Sequence, residues 1–402
     1  MIQKQFKHFV LAVILFFPGF FAASQSIETA GFRRELEECW KQTEVPAAAF
    51  GFATAHGQVY TETFGPGQWS AQDSLTGDHI FRIASMTKAI TSVAVLQLVE
   101  QGLLELDQPV ENYLPGIRKI PILGSSGELV PGTVPITLRH LLTHTSGFGY
   151  AIFDRRLGQF QLPDNWPHKD HPRLQEAGTG WLYGTSTDWA GRLVEVVSGL
   201  NLEEYLRKHL TGPLGMDHTW FQVPDSLQDM VVTLGFRDPQ AGGAMREVAP
   251  RPLGTPVSEF SGGAGLHSSL NDYLRFLQCI LYGGSIDGVR ILREETVASL
   301  FVDQLPLVVR RPATDRSLGA QADAPTADGF AHGLSWALEI PGNEYGRRPG
   351  SGYWSGYFNT FFSVDIHTGV AVVVMTNIMP FSDPEATELY KKFEAMVRLS
   401  DK

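Results

Sequence analysis

The chain has 402 residues, a formal net charge of −11 and two cysteines. Hydrophobic residues make up 43% and charged residues 19%, the composition of a folded globular protein, which excludes wholesale disorder. An excess of 43 Asp+Glu over 32 Lys+Arg excludes a large nucleic-acid footprint, and two cysteines exclude a disulfide scaffold or a multi-cysteine zinc site.

The first element is not part of a fold. Lys4 and Lys7 precede an apolar run over 9–21, and Ala22-Ala23-Ser24 follow it. This order is that of a secretory signal, ending at about residue 26. The run is too short for a bilayer, which needs ~20 apolar residues. An uncleaved amphipathic anchor is the alternative. The expected location is therefore periplasmic or secreted, with no membrane contact once the signal is removed. That compartment permits Cys39 and Cys279 to pair, although two reduced, buried thiols are the preferred reading.

Strand signals come next, over 47–55 and 58–64, around the turn His56-Gly57. The middle reads as helical. Met86, Ala89, Ile90, Val93, Leu96 and Val99 recur at helical spacing, and Gly102 offers a C-cap. The pattern repeats over 189–197, 202–210 and 270–281. Residues 310–328 are poor in large apolar side chains and read as a long exposed loop. Two more strands are expected over 360–366 and 370–376, around His367-Thr368-Gly369. Strands at both ends with helices between predict one sheet assembled from both termini and a helical lobe inserted into it. No internal repeat interrupts this plan.

The chemistry-bearing signal is Ser85-Met86-Thr87-Lys88. A spacing of three puts Ser85 and Lys88 on one helical face, one turn apart. A serine hydroxyl needs a base beside it, and an ammonium cannot serve. Apolar neighbours desolvate Lys88, and the positive end of the helix disfavours a second positive charge. Both favour a neutral, proton-accepting lysine. Two later segments add to this. Tyr183, in Trp181-Leu182-Tyr183-Gly184-Thr185-Ser186, is a candidate proton shuttle. Gly352-Tyr353-Trp354-Ser355-Gly356-Tyr357 reads as a glycine-containing strand edge that lets a substrate approach and exposes N–H groups to an oxyanion.

These three boxes, in this order, resemble the serine β-lactamase and D,D-peptidase superfamily, which uses Ser-x-x-Lys, a Tyr box and a Lys-Thr-Gly or related box. The stretches 141–147 (LLTHTSG), 213–216 (PLGM) and 262–266 (GGAGL) also look like that superfamily. The nearest branches are the class C β-lactamases and the family VIII carboxylesterases. The third box points to the esterases. Class C enzymes are expected to carry lysine where this chain has Trp354, and asparagine where it has Thr185. An indole removes a cationic partner worth ~1.5–3 kcal/mol to a substrate carboxylate and offers an apolar wall to an uncharged ester.

The resemblance implies an α+β, β-lactamase/transpeptidase-like fold. Its α/β lobe would span about 27–87 and 255–399, and its helical lobe about 88–254, as one catalytic domain over 27–399. It implies that Ser85 is acylated, that Lys88 and Tyr183 handle its proton, and that the N–H groups of Ser85 and Tyr357 form the oxyanion hole. Trp354, Ser355, Gly356 and Thr185 would meet the substrate. The expected function is a serine carboxylesterase acting on small or short-acyl esters, without cofactor, metal or nucleic-acid partner. A β-lactamase or D,D-peptidase is the near alternative, and a non-catalytic scaffold of the same fold the distant one. His144 is read as structural. His168, Asp170 and His171 lie in a proline-rich loop without metal-ligand spacing. No G-x-S-x-G elbow, P-loop or dinucleotide fingerprint occurs.

Overall fold

The computed structural model describes residues 29–399 apart from 70–72, 169, 249–256, 306–330 and 335. The expected signal and most of the expected loop over 310–328 lie outside the described residues. The strands that place the site are β1 (Ala48–Thr54), β2 (Val59–Phe64), β3 (Ile80–Arg82), β4 (His267–Ser269), β5 (Ala331–His332), β6 (Ala337–Leu338), β7 (Gly352–Gly356), β8 (Thr360–Asp365) and β9 (Val370–Met375). The α-helices are α1 (Thr29–Lys41), α2 (Thr87–Glu100), α3 (Leu138–Leu142), α4 (Arg155–Gln159), α5 (Ser186–Ser198), α6 (Leu202–Leu206), α7 (Leu270–Leu281), α8 (Glu294–Ser299) and α9 (Pro384–Leu399). None is long and apolar enough to cross a membrane.

One antiparallel sheet runs in the order β5-β6-β7-β8-β9-β1-β2, so strands from the two ends of the chain meet inside it. Phe50 faces Val374 and Phe52 faces Val372 across that seam. Side chains alternate across a strand. Phe50, Phe52, Val372 and Val374 therefore pack with Phe32, Leu36 and Phe393 of α1 and α9 on one face. Ala49, Ala53, Val373 and Met375 join the larger core beneath α7 on the other. Burial on both faces is why 370–375 reads as an unbroken apolar run. Gly51 lets α7 settle onto β1, since a β-carbon there would collide with Leu274 Cδ1.

Helix α2 departs from the expected one-sided helix. Twelve of its fourteen residues are buried, polar ones included. Several of its polar groups are bonded to neighbouring backbone: Thr91 Oγ1 donates to the Gly262 carbonyl at 2.8 Å, Gln97 Nε2 donates to the His209 and Ile291 carbonyls, and Thr87 Oγ1 accepts from Leu266 N–H. Most buried polar groups in folded proteins are bonded, and these bonds let α2 run through the core and fix its rotation. The helix closes at Gly102, left-handed at φ 71°.

Cys39 is half-buried and Cys279 buried, and both are free thiols. Cys39 leaves the end of α1 and Cys279 sits in α7, on opposite faces of the sheet.

Candidate active site

Strand β3 delivers the chain to Ser85. Ala84 takes a left-handed backbone, φ 42°, and Ser85 occupies a 3-10 turn directly before α2. A non-glycine residue held there costs of order 1–3 kcal/mol, and the surrounding pairing supports it. Ile83 N–H donates to Leu266 C=O, Met86 N–H donates to Ile83 C=O, and Tyr273 Oη donates to Met86 C=O at 3.0 Å.

The Lys88 amine, 1% exposed, lies one turn on. Its Nζ is 3.1 Å from Ser85 Oγ, 3.2 Å from Tyr150 Oη and 2.7 Å from the Gly263 carbonyl. No carboxylate pairs with it among the described residues. An ammonium donates to all three oxygens; a neutral amine donates to two and accepts from the third, so the cage suits a group that exchanges a proton with its neighbours. Gly263 is itself held, since its N–H donates to Asp188 Oδ1, which also accepts from Ser261 Oγ. Tyr183 comes from the far side, its Oη 2.6 Å from Ser85 Oγ and its ring 4.7 Å from Lys88 Nζ. The structure thus brings Ser85, Lys88 and Tyr183 into one hydrogen-bonded group.

Tyr150 belongs to that group and was not singled out in the sequence. It lies three residues past the 141–147 stretch, where the turn after α3 swings back over Lys88. Burial, with Asp188 and Tyr183 adding, pushes its phenol well above the usual value. It therefore keeps its proton at neutral pH.

Strand β7 forms the opposite wall. It is not an edge strand, as the sequence suggested: β6 pairs with it at Gly352 and Tyr353, and β8 pairs along its whole length. Because β6 is two residues long, no strand covers Trp354 to Gly356 on that side among the described residues. The approach to the backbone survives inside the sheet for that reason. Gly356 presses on the nucleophile turn, and a β-carbon there would collide with the Ile83 carbonyl and Thr360 Oγ1. Tyr357 follows directly, 38% exposed, its ring stacked on Phe381. Trp354 lies 5.4 Å from the Tyr183 ring. Ser355 is half-buried opposite Phe361, and Thr185 is the residue before α5.

His144 is in this wall rather than remote from it, its ring 5.0 Å from that of Tyr183. His332, whose pKa burial lowers to about 4, stands beside it. In the 163–172 loop, Asp170 is paired with Arg192 at 3.0 Å.

A family profile described as Beta-lactamase matches residues 32–395. The chain belongs to the beta-lactamase family. Its relatives place this family member in the serine hydrolase and acyltransferase class of the fold. It is similar to monacolin J acid methylbutanoyltransferase of Aspergillus terreus, 29% identical over 92% of this chain and 94% of that protein. It is also similar to lovastatin esterase of Penicillium rubens, 31% identical over 72% of this chain and 77% of that protein. Among solved structures, simvastatin synthase from Aspergillus terreus superimposes with a TM-score of 0.82 at 25% identity, covering 94% of this chain and 99% of that one.

Proposed function

We propose that this member of the family is a serine carboxylesterase that also passes its acyl group to alcohols. Ser85 Oγ attacks the carbonyl carbon of a small or short-acyl ester, and its proton passes to the Tyr183 and Lys88 pair. The N–H groups of Ser85 and Tyr357 face the developing oxyanion. The alcohol leaves with that proton, and an ester bond to Ser85 replaces the one broken. Water then attacks the acyl-serine to release acid, or a second alcohol attacks to give a new ester; either nucleophile gives its proton to the same pair, which returns it to Ser85 Oγ as the acyl–serine bond breaks.

The observation that carries the reading is the contact of Ser85 Oγ with Tyr183 Oη and Lys88 Nζ, beside Trp354. An indole at that point supports an uncharged ester over a carboxylate-bearing lactam. The activities named for the two relatives, an acyl transfer and an ester hydrolysis, support both fates of the acyl-serine.

The test compares p-nitrophenyl esters of graded acyl length with a chromogenic cephalosporin, with and without added alcohol, using Ser85→Ala as control. Ester release that disappears in Ser85→Ala, with slow cephalosporin opening, is the expected result. Rapid cephalosporin opening with negligible ester release would move the protein to the lactamase reading. Equal inertness of both proteins toward every substrate would end the enzymatic claim.

A further inference from the structure

The turn after α3 carries an imidazole that the chemistry above does not use. His144 is 1% exposed, with a left-handed backbone at φ 54°. Its Nδ1 is buried without a hydrogen-bond partner among the described residues, and such an unmade bond is destabilising. Burial first, then the neighbouring His332 and Lys88, push its pKa well below the usual value, so the ring is neutral. Glycine would suit this backbone better, and an apolar side chain would suit this burial better. What distinguishes the ring is its neighbours. It meets Tyr183 edge-on at 5.0 Å and lies 10° from parallel with Trp354 at 6.2 Å. Trp181 and His332 close two further sides, at 6.0 and 5.6 Å. The His144 carbonyl also accepts the N–H of Leu182, the residue before Tyr183, at 2.8 Å. One residue therefore anchors the segment that carries the tyrosine by its backbone and meets the tyrosine itself by its ring.

We propose that His144 is a positioning residue for the Ser85 reaction: its flat ring backs the Tyr183 phenol, fixes that hydroxyl against Ser85 Oγ and sets the plane of Trp354. The inference rests on the reading of Ser85 and Tyr183 as reacting groups. No hydrogen bond joins His144 to Ser85 or Lys88, so its effect passes through the ring of Tyr183.

The test follows covalent labelling of Ser85 by a fluorophosphonate, with ester hydrolysis measured beside it. His144→Ala is expected to lower the maximal labelling rate at least about tenfold, while the half-saturating probe concentration stays within about twofold. His144→Phe keeps a flat ring and is expected to recover most of the lost rate. Melting curves of each variant separate this split from unfolding. Should the alanine variant not fold, His144→Asn replaces it, because asparagine tolerates the left-handed backbone and offers no ring. A wild-type labelling rate in the alanine or asparagine variant would overturn the proposal, and so would a phenylalanine variant as slow as alanine. Wild-type protein that labels at Ser85 but hydrolyses no ester would count against the ester reading alone, since labelling still reports on His144.

Discussion

Tyr150→Phe takes one of three oxygens from Lys88 Nζ and leaves the ring in place, where it contacts Phe153 and Tyr183 at 6.0 and 5.3 Å. A hydrogen bond to a charged group contributes about 1.5–3 kcal/mol, and each ~1.36 kcal/mol is tenfold in rate. The bond is long, at 3.2 Å, which puts the expected loss in kcat/KM near the lower end, roughly tenfold. Tyr183→Phe is different in kind. Its oxygen is 2.6 Å from Ser85 Oγ, on the path of the proton. Groups that act as a unit are lost as a unit, so this variant should fall about as far as Ser85→Ala, by more than about 10³-fold. The assay is kcat/KM for p-nitrophenyl butyrate, with a melting temperature for each variant. A Tyr150→Phe enzyme as inactive as Tyr183→Phe would put Tyr150 on the proton path. A Tyr183→Phe enzyme keeping more than about a tenth of its rate would take Tyr183 off it.

Two further outcomes follow from packing and burial. Gly356→Ala forces a methyl against the Ile83 carbonyl beside the nucleophile; Ser85 labelling should drop by more than about tenfold, and a wild-type rate would show that β7 does not set the position of Ser85. Burial raises the Asp272 carboxyl to about 6, despite bonds from Thr219 Oγ1 and His218 N–H. The folded protein thus holds this proton more tightly than the unfolded chain, whose value is ~3.9. Stability from this group is full below ~3.9 and is lost as pH rises through about 6, by on the order of 3 kcal/mol. Asp272→Asn should therefore gain on wild type between about pH 4 and pH 7 in urea unfolding, and a difference that does not change with pH would refute the assignment.

Periodic apolar spacing placed α7 at its observed bounds, 270–281, because one face of that helix is apolar and the other is not. The same argument placed α2 but not its surroundings. Thr87, Thr91 and Gln97 bond to backbone from 209, 262, 266 and 291, partners that no local window contains. Ser85 and Lys88 were legible because their contact is one helical turn long. Tyr183 was legible from the order of the three boxes. Tyr150 and His144 were not, since their roles arise only when the turn after α3 folds back onto α2 and the 181–184 segment. The wall made by β7 was found for a partly mistaken reason: the backbone is open because β6 is short, which depends on residues outside the box.

The seam between β9 and β1 also orders events in time. Thr54 pairs with Val370, so at about 5–20 residues per second the hairpin of β1 and β2 waits on the order of 15–60 s on the ribosome for its neighbour. Until then it presents an unpaired strand edge to other chains. The nucleophile is synthesised early as well, but the wall over Ser85 arrives only with 352–356, shortly before that neighbour. The wall over Ser85 and closure of the sheet therefore come within a few residues of each other, and a chain interrupted before β7 lacks both. Such a high contact order predicts slow folding, in which recovery of Ser85 labelling after dilution from denaturant should track burial of the central strands rather than formation of α2.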